Sequence, residues 1–196
     1  MTQTTLKKGS WTTADLEKLP LDEYRYEIIN GELIVTRSPH VRHQKVSMRI
    51  GAALDSWSVS SGLGEAFVAP GIIFDDADNV IPDVVWISNK RLSSLLDKAG
   101  HLTGAPELVV EVLSPGKENE KRDREDKLEL YSNKGVEEYW ICDREALRMQ
   151  HRFQQTIEIY RRQNTKLKLT ATLLNKDVLT SPLLPGFNYP IAPIFA

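Results

Sequence analysis

Residues 106–113 read PELVVEVL, a nearly continuous apolar run that an acidic side chain interrupts from within. Such a run is typical of a β-strand that is buried on both of its faces. Glu111 shares its face with Val109 and Leu113, because side chains alternate along a strand. A carboxylate in that position costs several kcal/mol unless it is paired, hydrogen-bonded or bound to a metal. Glu111 therefore needs a partner in the fold.

A second acid interrupts a second apolar run, since residues 80–87 read VIPDVVWI. In a strand, Asp83 shares its face with Ile81, Val85 and Ile87. Two inward carboxylates on neighbouring strands suit a hard divalent cation, because Mg²⁺ usually binds through one or two carboxylates together with substrate phosphate. The alternative is that each acid forms a satisfied ion pair in the core and binds no ligand.

A lysine close to the expected acid pair would complete such a site. Lys127 lies on a predicted helix over residues 122–133, at the border of the face that Leu128 and Tyr131 turn towards the sheet. Asp123 precedes it by four residues, a spacing that would let its carboxylate orient the ammonium group. A lysine beside a metal-bound water and a phosphate can steer the nucleophile and offset transition-state charge. The alternative is a surface salt bridge, worth less than about 1 kcal/mol.

The rest of the pattern predicts an α/β fold with a mixed central sheet flanked by helices. The Asn30-Gly31 turn predicts an N-terminal hairpin over residues 24–36, and Ser38 as cap with Pro39 at the first position predicts a helix over residues 38–57. Strands are predicted at 65–74, 80–87, 107–113 and 138–142, with a polar helix and loop at 90–104. The remaining predicted elements are a helix from Thr12 or Thr13 to Leu19, a β-rich C-terminal part with strands at 149–153, 156–161 and 168–174, and an irregular proline-rich coat at 181–196.

Three further residues are candidates for supporting roles. His43 lies on the apolar face of the 38–57 helix, which is defined by Val46, Ile50, Ala53, Leu54 and Trp57. It could contact a metal, water or phosphate, or it could be a hydrogen-bonded core histidine. Glu32 follows the hairpin turn and would either bring a third carboxylate to the metal or face solvent. Ser114 ends the strand that carries Glu111 and is expected to shape the site through its backbone.

Composition limits the classes of function. The length of 196 residues fits one domain over residues 1–196, with the polar residues 1–10 expected to form a flexible tail. No segment approaches the length of a membrane span, and the single cysteine excludes an intramolecular disulfide, so we expect a cytoplasmic protein. The net charge of −2 gives no sign of a nucleic-acid partner. The sequence contains no P-loop, dinucleotide-binding, serine-elbow or HExxH motif.

Several ordered motifs resemble those of one known family. They are YEIINGEL at 26–33, HQ at 43–44, IPD at 81–83, APELVVEVLSP at 105–115, the helical segment 123–131, GVEEYW at 135–140 and LTSPLLPG at 179–186. Together they cover nearly the whole chain and resemble the Uma2 (DUF820-type) family of the PD-(D/E)XK, restriction-endonuclease-like superfamily. The chain departs from the superfamily signature at Leu113, where that signature has its lysine.

This resemblance implies a restriction-endonuclease-like fold and hydrolysis of phosphodiester bonds in nucleic acid, with DNA as the first expectation. It implies that Asp83, Glu111 and the backbone carbonyl of Val112 bind Mg²⁺ or Mn²⁺. It also implies that Lys127 supplies from a helix the lysine that Leu113 replaces. Nucleases that cut both strands often pair, so a homodimer is compatible with this interpretation. The alternatives are an inactive nuclease-fold module that binds nucleic acid or protein, and hydrolysis of another phosphoester.

Overall fold

The computed structural model describes residues 4–6, 10–20, 22–149 and 152–196. Its strands are β1 (Thr4–Leu6), β2 (Tyr24–Ile29), β3 (Glu32–Arg37), β4 (Gly64–Val68), β5 (Ile72–Asp75), β6 (Asp78–Val80), β7 (Val84–Ser88), β8 (Leu108–Val112), β9 (Glu138–Met149), β10 (Arg152–Gln163), β11 (Lys166–Leu174), β12 (Val178–Leu179) and β13 (Tyr189–Pro190). Its helices are α1 (Thr13–Leu16), α2 (Val41–Ser61), α3 (Asn89–Leu95), α4 (Lys117–Lys121), a π-helical turn (Arg122–Asp126), α5 (Lys127–Lys134) and α6 (Ile191–Phe195).

The central sheet has six strands in the order β11-β10-β9-β8-β7-β4. Strands β8 and β9 run parallel, with Glu111 opposite Ile141, whereas β7 and β8 run antiparallel. A second sheet has the order β1-β3-β2-β6-β5, and β12 pairs with β13. The predicted mixed α/β sheet flanked by helices is confirmed.

Both faces of the central sheet are covered, which explains why its middle strands are apolar throughout. One face packs against α2 and the C-terminal segment, through residues that include Leu54, Trp86, Val110, Trp140, Leu184 and Ile191. The other face packs against α5 and the second sheet, through residues that include Ile34, Val80, Val109, Leu130, Tyr131 and Ile141. Glu111 lies on this second face, as the alternation along β8 requires.

Two predicted strands are each divided between the two sheets. Residues 65–74 form β4 and β5, and residues 80–87 form the end of β6 and most of β7. Ala69 has a positive φ of 52° at the first break. Pro82 lies at the second break, where it can donate no hydrogen bond to a strand ladder. Asp83 therefore lies at the corner between the sheets and not inside a strand.

The helix boundaries also differ from those predicted. Helix α2 begins at Val41, and its N-cap is His40, whose Nδ1 accepts a 3.1 Å hydrogen bond from the Arg42 amide, so Ser38 is not the cap. The predicted 122–133 helix begins earlier, at Lys117, and passes through the π-helical turn before α5. Helix α1 ends at Leu16 and not at Leu19. Local sequence patterns predicted where these helices lie, but the helix ends in the folded chain differ from the predicted ends.

Both ends of the chain contain more regular structure than predicted. Thr4–Leu6 pairs with β3, which corrects the expectation of a flexible tail for those residues, while residues 1–3 and 7–9 lie outside the described ones. The strand predicted at 149–153 is instead the junction of β9 and β10, and residues 150 and 151 lie outside the described ones. The 181–196 segment includes α6 and buries Leu184, Ile191 and Ile194 in the core. Among the described helices, none is both long enough and apolar enough to cross a membrane.

Candidate active site

Asp83 directly precedes β7, Glu111 lies on the adjacent strand β8, and both side chains are buried. Oδ2 of Asp83 accepts a 2.8 Å hydrogen bond from the backbone amide of Val112. It also lies 3.1 Å from Nε2 of His43, a residue of α2. The carboxylate of Asp83 is therefore fixed beside the strand residue that follows Glu111.

Lys127 extends from the first turn of α5 to the same place. Its Nζ lies 2.8 Å from Oε1 of Glu111 and 2.9 Å from Oε1 of Glu27, and its exposed fraction is 1%. The hydroxyl of Tyr131 donates a 2.9 Å hydrogen bond to the same oxygen of Glu111. The predicted position at the border of the helix face is therefore wrong, as is the surface salt bridge considered for this lysine. The π-helical turn inserts one residue before α5, and this shifts the residues that face the sheet.

The structure brings a third carboxylate from the hairpin, but it is Glu27 and not Glu32. Glu27 lies on β2, is 4% exposed, and accepts a 2.8 Å hydrogen bond from the Ile81 amide as well as the ion pair with Lys127. Glu32 is exposed and lies opposite Ile29 in the hairpin, away from the acid cluster. Sequence reasoning missed Glu27. The signal that could have found it is the one that identified Glu111: a carboxylate that shares a strand face with an apolar residue, here Ile29, at the apolar end of β2.

Asp123 is completely buried, but it does not have the predicted arrangement with Lys127. Its two oxygens accept hydrogen bonds of 2.7 Å and 3.0 Å from Nε and Nη2 of Arg122. The i, i+4 geometry expected of an α-helix is lost because residues 122–126 form the π-helical turn. Its influence on Lys127 is electrostatic, since its charge helps to raise the pKa of the lysine.

The environment separates the acidities of the three carboxylates. Burial raises the pKa of Glu111 to about 8, and the neighbouring charge of Asp83 adds to the effect while Lys127 opposes it. Burial is also the largest single influence on the pKa of Glu27 and Asp83, and it acts to raise both. Several neighbours together outweigh it, led by Lys127 and Arg122 at Glu27 and by His43 and the Val112 amide at Asp83, so both pKa values are lowered. The pKa of Lys127 is raised because Glu111 and Glu27 outweigh the effect of its burial. Carboxylates whose environments push their pKa values apart are typical of sites that combine acid and base roles.

A cavity of about 40 Å³ opens between these side chains. Its lining includes side chains from β2, α2, β8 and α5 and from the loops next to β7 and β8, namely Glu27, His43, Glu111, Lys127, Asp83 and Ser114. The volume is enough for a few water-sized ligands but not for a nucleotide. Any larger substrate must therefore present only one small group to the acids.

The donor set fits a hard divalent cation that keeps most of its waters. Asp83 accepts its hydrogen bond from the Val112 amide through Oδ2, and Glu111 accepts those from Lys127 and Tyr131 through Oε1. No group of three or more His, Cys, Asp or Glu side chains among the residues that the structure describes is arranged to hold a metal. Mg²⁺ commonly binds proteins through only one or two carboxylates, so the pair Asp83 and Glu111 is a sufficient protein ligand set for it.

Comparisons with known proteins agree with the motifs. The model of the Uma2 family, described as "Putative restriction endonuclease", matches residues 13–192. A crystal structure of "a putative nuclease belonging to DUF820" from Anabaena variabilis ATCC 29413 superimposes with a TM-score of 0.69, covering 94% of this chain and 97% of that chain. At 18% identity this likeness shows a common fold. A search of curated proteins gives no match. Because the family model spans most of the chain, this protein belongs to the Uma2 family.

Proposed function

We propose that this protein is a divalent-metal-dependent nuclease that hydrolyses phosphodiester bonds of nucleic acid, with Asp83, Glu111 and Lys127 as its catalytic residues. The observation that carries the proposal is the 2.8 Å contact between Lys127 Nζ and Glu111 Oε1 in a cavity that Asp83 also lines. An ammonium group is thus present beside the acids although Leu113 occupies the usual lysine position.

Asp83, Glu111 and the backbone carbonyl of Val112 are the groups that would hold Mg²⁺ or Mn²⁺. The backbone of Val112 is fixed next to Asp83 by its amide hydrogen bond. When bound, the ion supplies a Lewis acid that polarises a phosphate and lowers the pKa of a coordinated water.

The other residues of the site position these groups. Glu27 and Glu111 hold the ammonium of Lys127 from two sides, so the charge is fixed before the substrate binds. A preorganised cation of this kind orients the attacking water and offsets the negative charge that develops on the phosphate. Tyr131 and His43 restrain Glu111 and Asp83, respectively. Removal of such supporting contacts typically reduces activity or metal affinity by about 10- to 100-fold.

A cleavage assay with Mn²⁺, Mg²⁺ or EDTA on DNA and RNA tests the proposal, with Glu111→Gln and Lys127→Met beside the unmodified protein. We expect metal-dependent cutting that falls by at least about 100-fold in both variants. Lys134→Met is the matched control, because Lys134 is also on α5 and also pairs with two acids, Asp75 and Asp78, but lies outside the cavity. Cutting by Lys127→Met at the rate of this control would remove Lys127 from the mechanism.

A second candidate function is an inactive nuclease-fold module that binds nucleic acid or protein. It is favoured by the buried leucine at position 113 in place of the usual lysine and by the net charge of −2. Metal linkage separates the two candidates, since a ligand that binds only the folded state raises the melting temperature. If millimolar Mn²⁺ leaves the melting temperature of the folded protein unchanged and no substrate is cut, the binding module becomes the better assignment.

A further inference from the structure

A larger cavity of about 430 Å³ adjoins the acid cluster. It shares His43 and Ser114 with the small cavity, so a group bound at the acids could continue directly into it. Its volume falls within the usual range for a site that takes a small organic ligand.

The lining of this cavity combines apolar surface with two arginines and one acid, Glu145. Leu113 and Pro115 provide the apolar part, and Arg42 and Arg144 provide two guanidinium groups. Leu113 is the residue that stands in the usual lysine position, so its side chain contributes apolar surface where the superfamily signature has a charge. Flat aromatic rings bind well to such surface, and guanidinium groups bind phosphate through paired hydrogen bonds.

His43 lines this cavity as well as the small one. Its side chain is buried, its Nε2 faces Asp83, and its Nδ1 has no hydrogen-bond partner among the residues described by the structure. When Nε2 donates to the carboxylate, Nδ1 of a neutral imidazole is an acceptor. A buried acceptor without a partner is costly, so a donor group of a ligand would stabilise it.

We propose that this cavity binds one unpaired nucleotide next to the scissile phosphate, so that the substrate is single-stranded or locally unpaired nucleic acid. The inference rests on the proposed nuclease function. The base lies against Leu113 and Pro115, the backbone phosphates are neutralised by Arg42 and Arg144, and His43 lies between this nucleotide and the acids.

The depth of the acid cluster supports an unpaired substrate. Asp83 and Glu111 are 7% and 3% exposed, at the bottom of a cavity too small for a nucleotide. A phosphate bound at the acids places its flanking nucleoside at the adjoining 430 Å³ cavity, and in a stacked duplex that nucleoside stays paired unless it is flipped out.

A third cavity of about 200 Å³ allows the strand to continue. It adjoins the acids through Arg25, His43 and Asp83, of which only His43 also lines the 430 Å³ cavity. Two cavities next to the acids suit a nucleotide within a strand and not only one at its end.

Binding in EDTA tests the assignment without any need for cleavage. Fluorescence anisotropy compares labelled single-stranded DNA, single-stranded RNA and duplex DNA of about twelve nucleotides, a length within the site sizes of known single-strand binders. The variants are Arg144→Ala and Arg42→Ala, and the control is Arg91→Ala, which is comparably half-exposed to Arg144 but lines none of the three cavities.

We expect single strands to bind at least about tenfold more tightly than duplex, and each cavity variant to weaken single-strand binding while Arg91→Ala does not. Each lost phosphate contact should also reduce the slope of log affinity against log salt by about 0.7. Stronger binding of RNA than of DNA, or the reverse, identifies which single strand the cavity takes.

Equal or tighter binding of duplex, or unchanged single-strand affinity in both cavity variants, overturns the assignment. The outcome is separable from that of the cleavage assay. Single-strand binding that depends on Arg144 without any metal-dependent cutting rejects the nuclease function but retains the cavity assignment. Equal cutting of duplex and single strands, with Arg144→Ala unaffected, retains the nuclease function and rejects the cavity assignment.

Discussion

Replacement of Lys127 by methionine should destabilise the protein much more than the loss of an ordinary salt bridge. The Nζ atom lies within 3 Å of two buried carboxylates, at 2.8 Å from Glu111 and 2.9 Å from Glu27. With the lysine only 1% exposed, solvent does not screen these contacts. Removal of one partner from a buried ion pair costs about 3–5 kcal/mol, because the remaining charge is left uncompensated.

The cost should depend on pH, since Glu111 can escape it by taking up a proton. Burial already raises the pKa of Glu111 to about 8 from an ordinary value of 4.5, and loss of the cation raises the pKa further. A group with a raised pKa in the folded state favours folding below its unfolded pKa and loses that contribution as the pH rises. The free-energy loss caused by Lys127→Met should therefore be smaller at pH 5 than at pH 8.

Urea unfolding at both pH values measures this loss, and the melting temperature gives a second measure. For a chain of this size, 3–5 kcal/mol corresponds to a decrease of about 10 °C. Glu27→Gln combined with Lys127→Met should recover part of the stability, because the uncompensated charge of Glu27 is removed. A loss of under about 1 kcal/mol for Lys127→Met, the value for exposed ion pairs, would contradict this prediction. A loss no larger than that caused by Lys134→Met would contradict it as well.

Three other perturbations follow from the same geometry. The affinity for Mn²⁺, measured by calorimetry, should rise about tenfold per pH unit from pH 6 until the pH passes the pKa of Glu111 near 8, because the ion competes with a proton for this carboxylate. An affinity that does not change with pH would exclude Glu111 as a ligand. Asp83→Asn should abolish the metal-induced rise in melting temperature. It should change the stability without metal by less than about 1 kcal/mol, since the amide oxygen of asparagine can still accept the hydrogen bond from the Val112 backbone amide. A rise in melting temperature that persists in this variant would contradict the prediction. Gly64→Ala should cost about 1–3 kcal/mol in urea unfolding, because its methyl group would overlap the carbonyl oxygen of Ile87. Gly51→Ala should cost less, since its methyl group meets chiefly a side-chain methyl that can move; equal costs would show that the backbone at Gly64 yields.

Local sequence rules found two acids of the candidate site and missed the third. Glu111 and Asp83 were identified because a carboxylate inside an apolar run has to be compensated, whatever the surrounding fold. The same rule applies to Glu27, which shares a strand face with Ile29, but the position of Glu32 directly after the hairpin turn favoured that residue instead. The two residues are close in sequence, and only the pairing of β2 with β6 brings the Glu27 carboxylate to the amide of Ile81.

The family, the mixed sheet and the strand that carries Glu111 are predictable from the order of amino acids, because these depend on periodicity, turn residues and ordered motifs that short segments contain. The tertiary structure alone decided that Asp83 lies at a corner between two sheets, that Lys127 is buried, and that Asp123 pairs with Arg122. The π-helical turn before α5 and the change of sheet at Pro82 set these positions. The contacts that fix these side chains join residues far apart in sequence, such as Asp83 with the Val112 amide and Lys127 with Glu27, and the free energy of such contacts depends on residues that no local window includes.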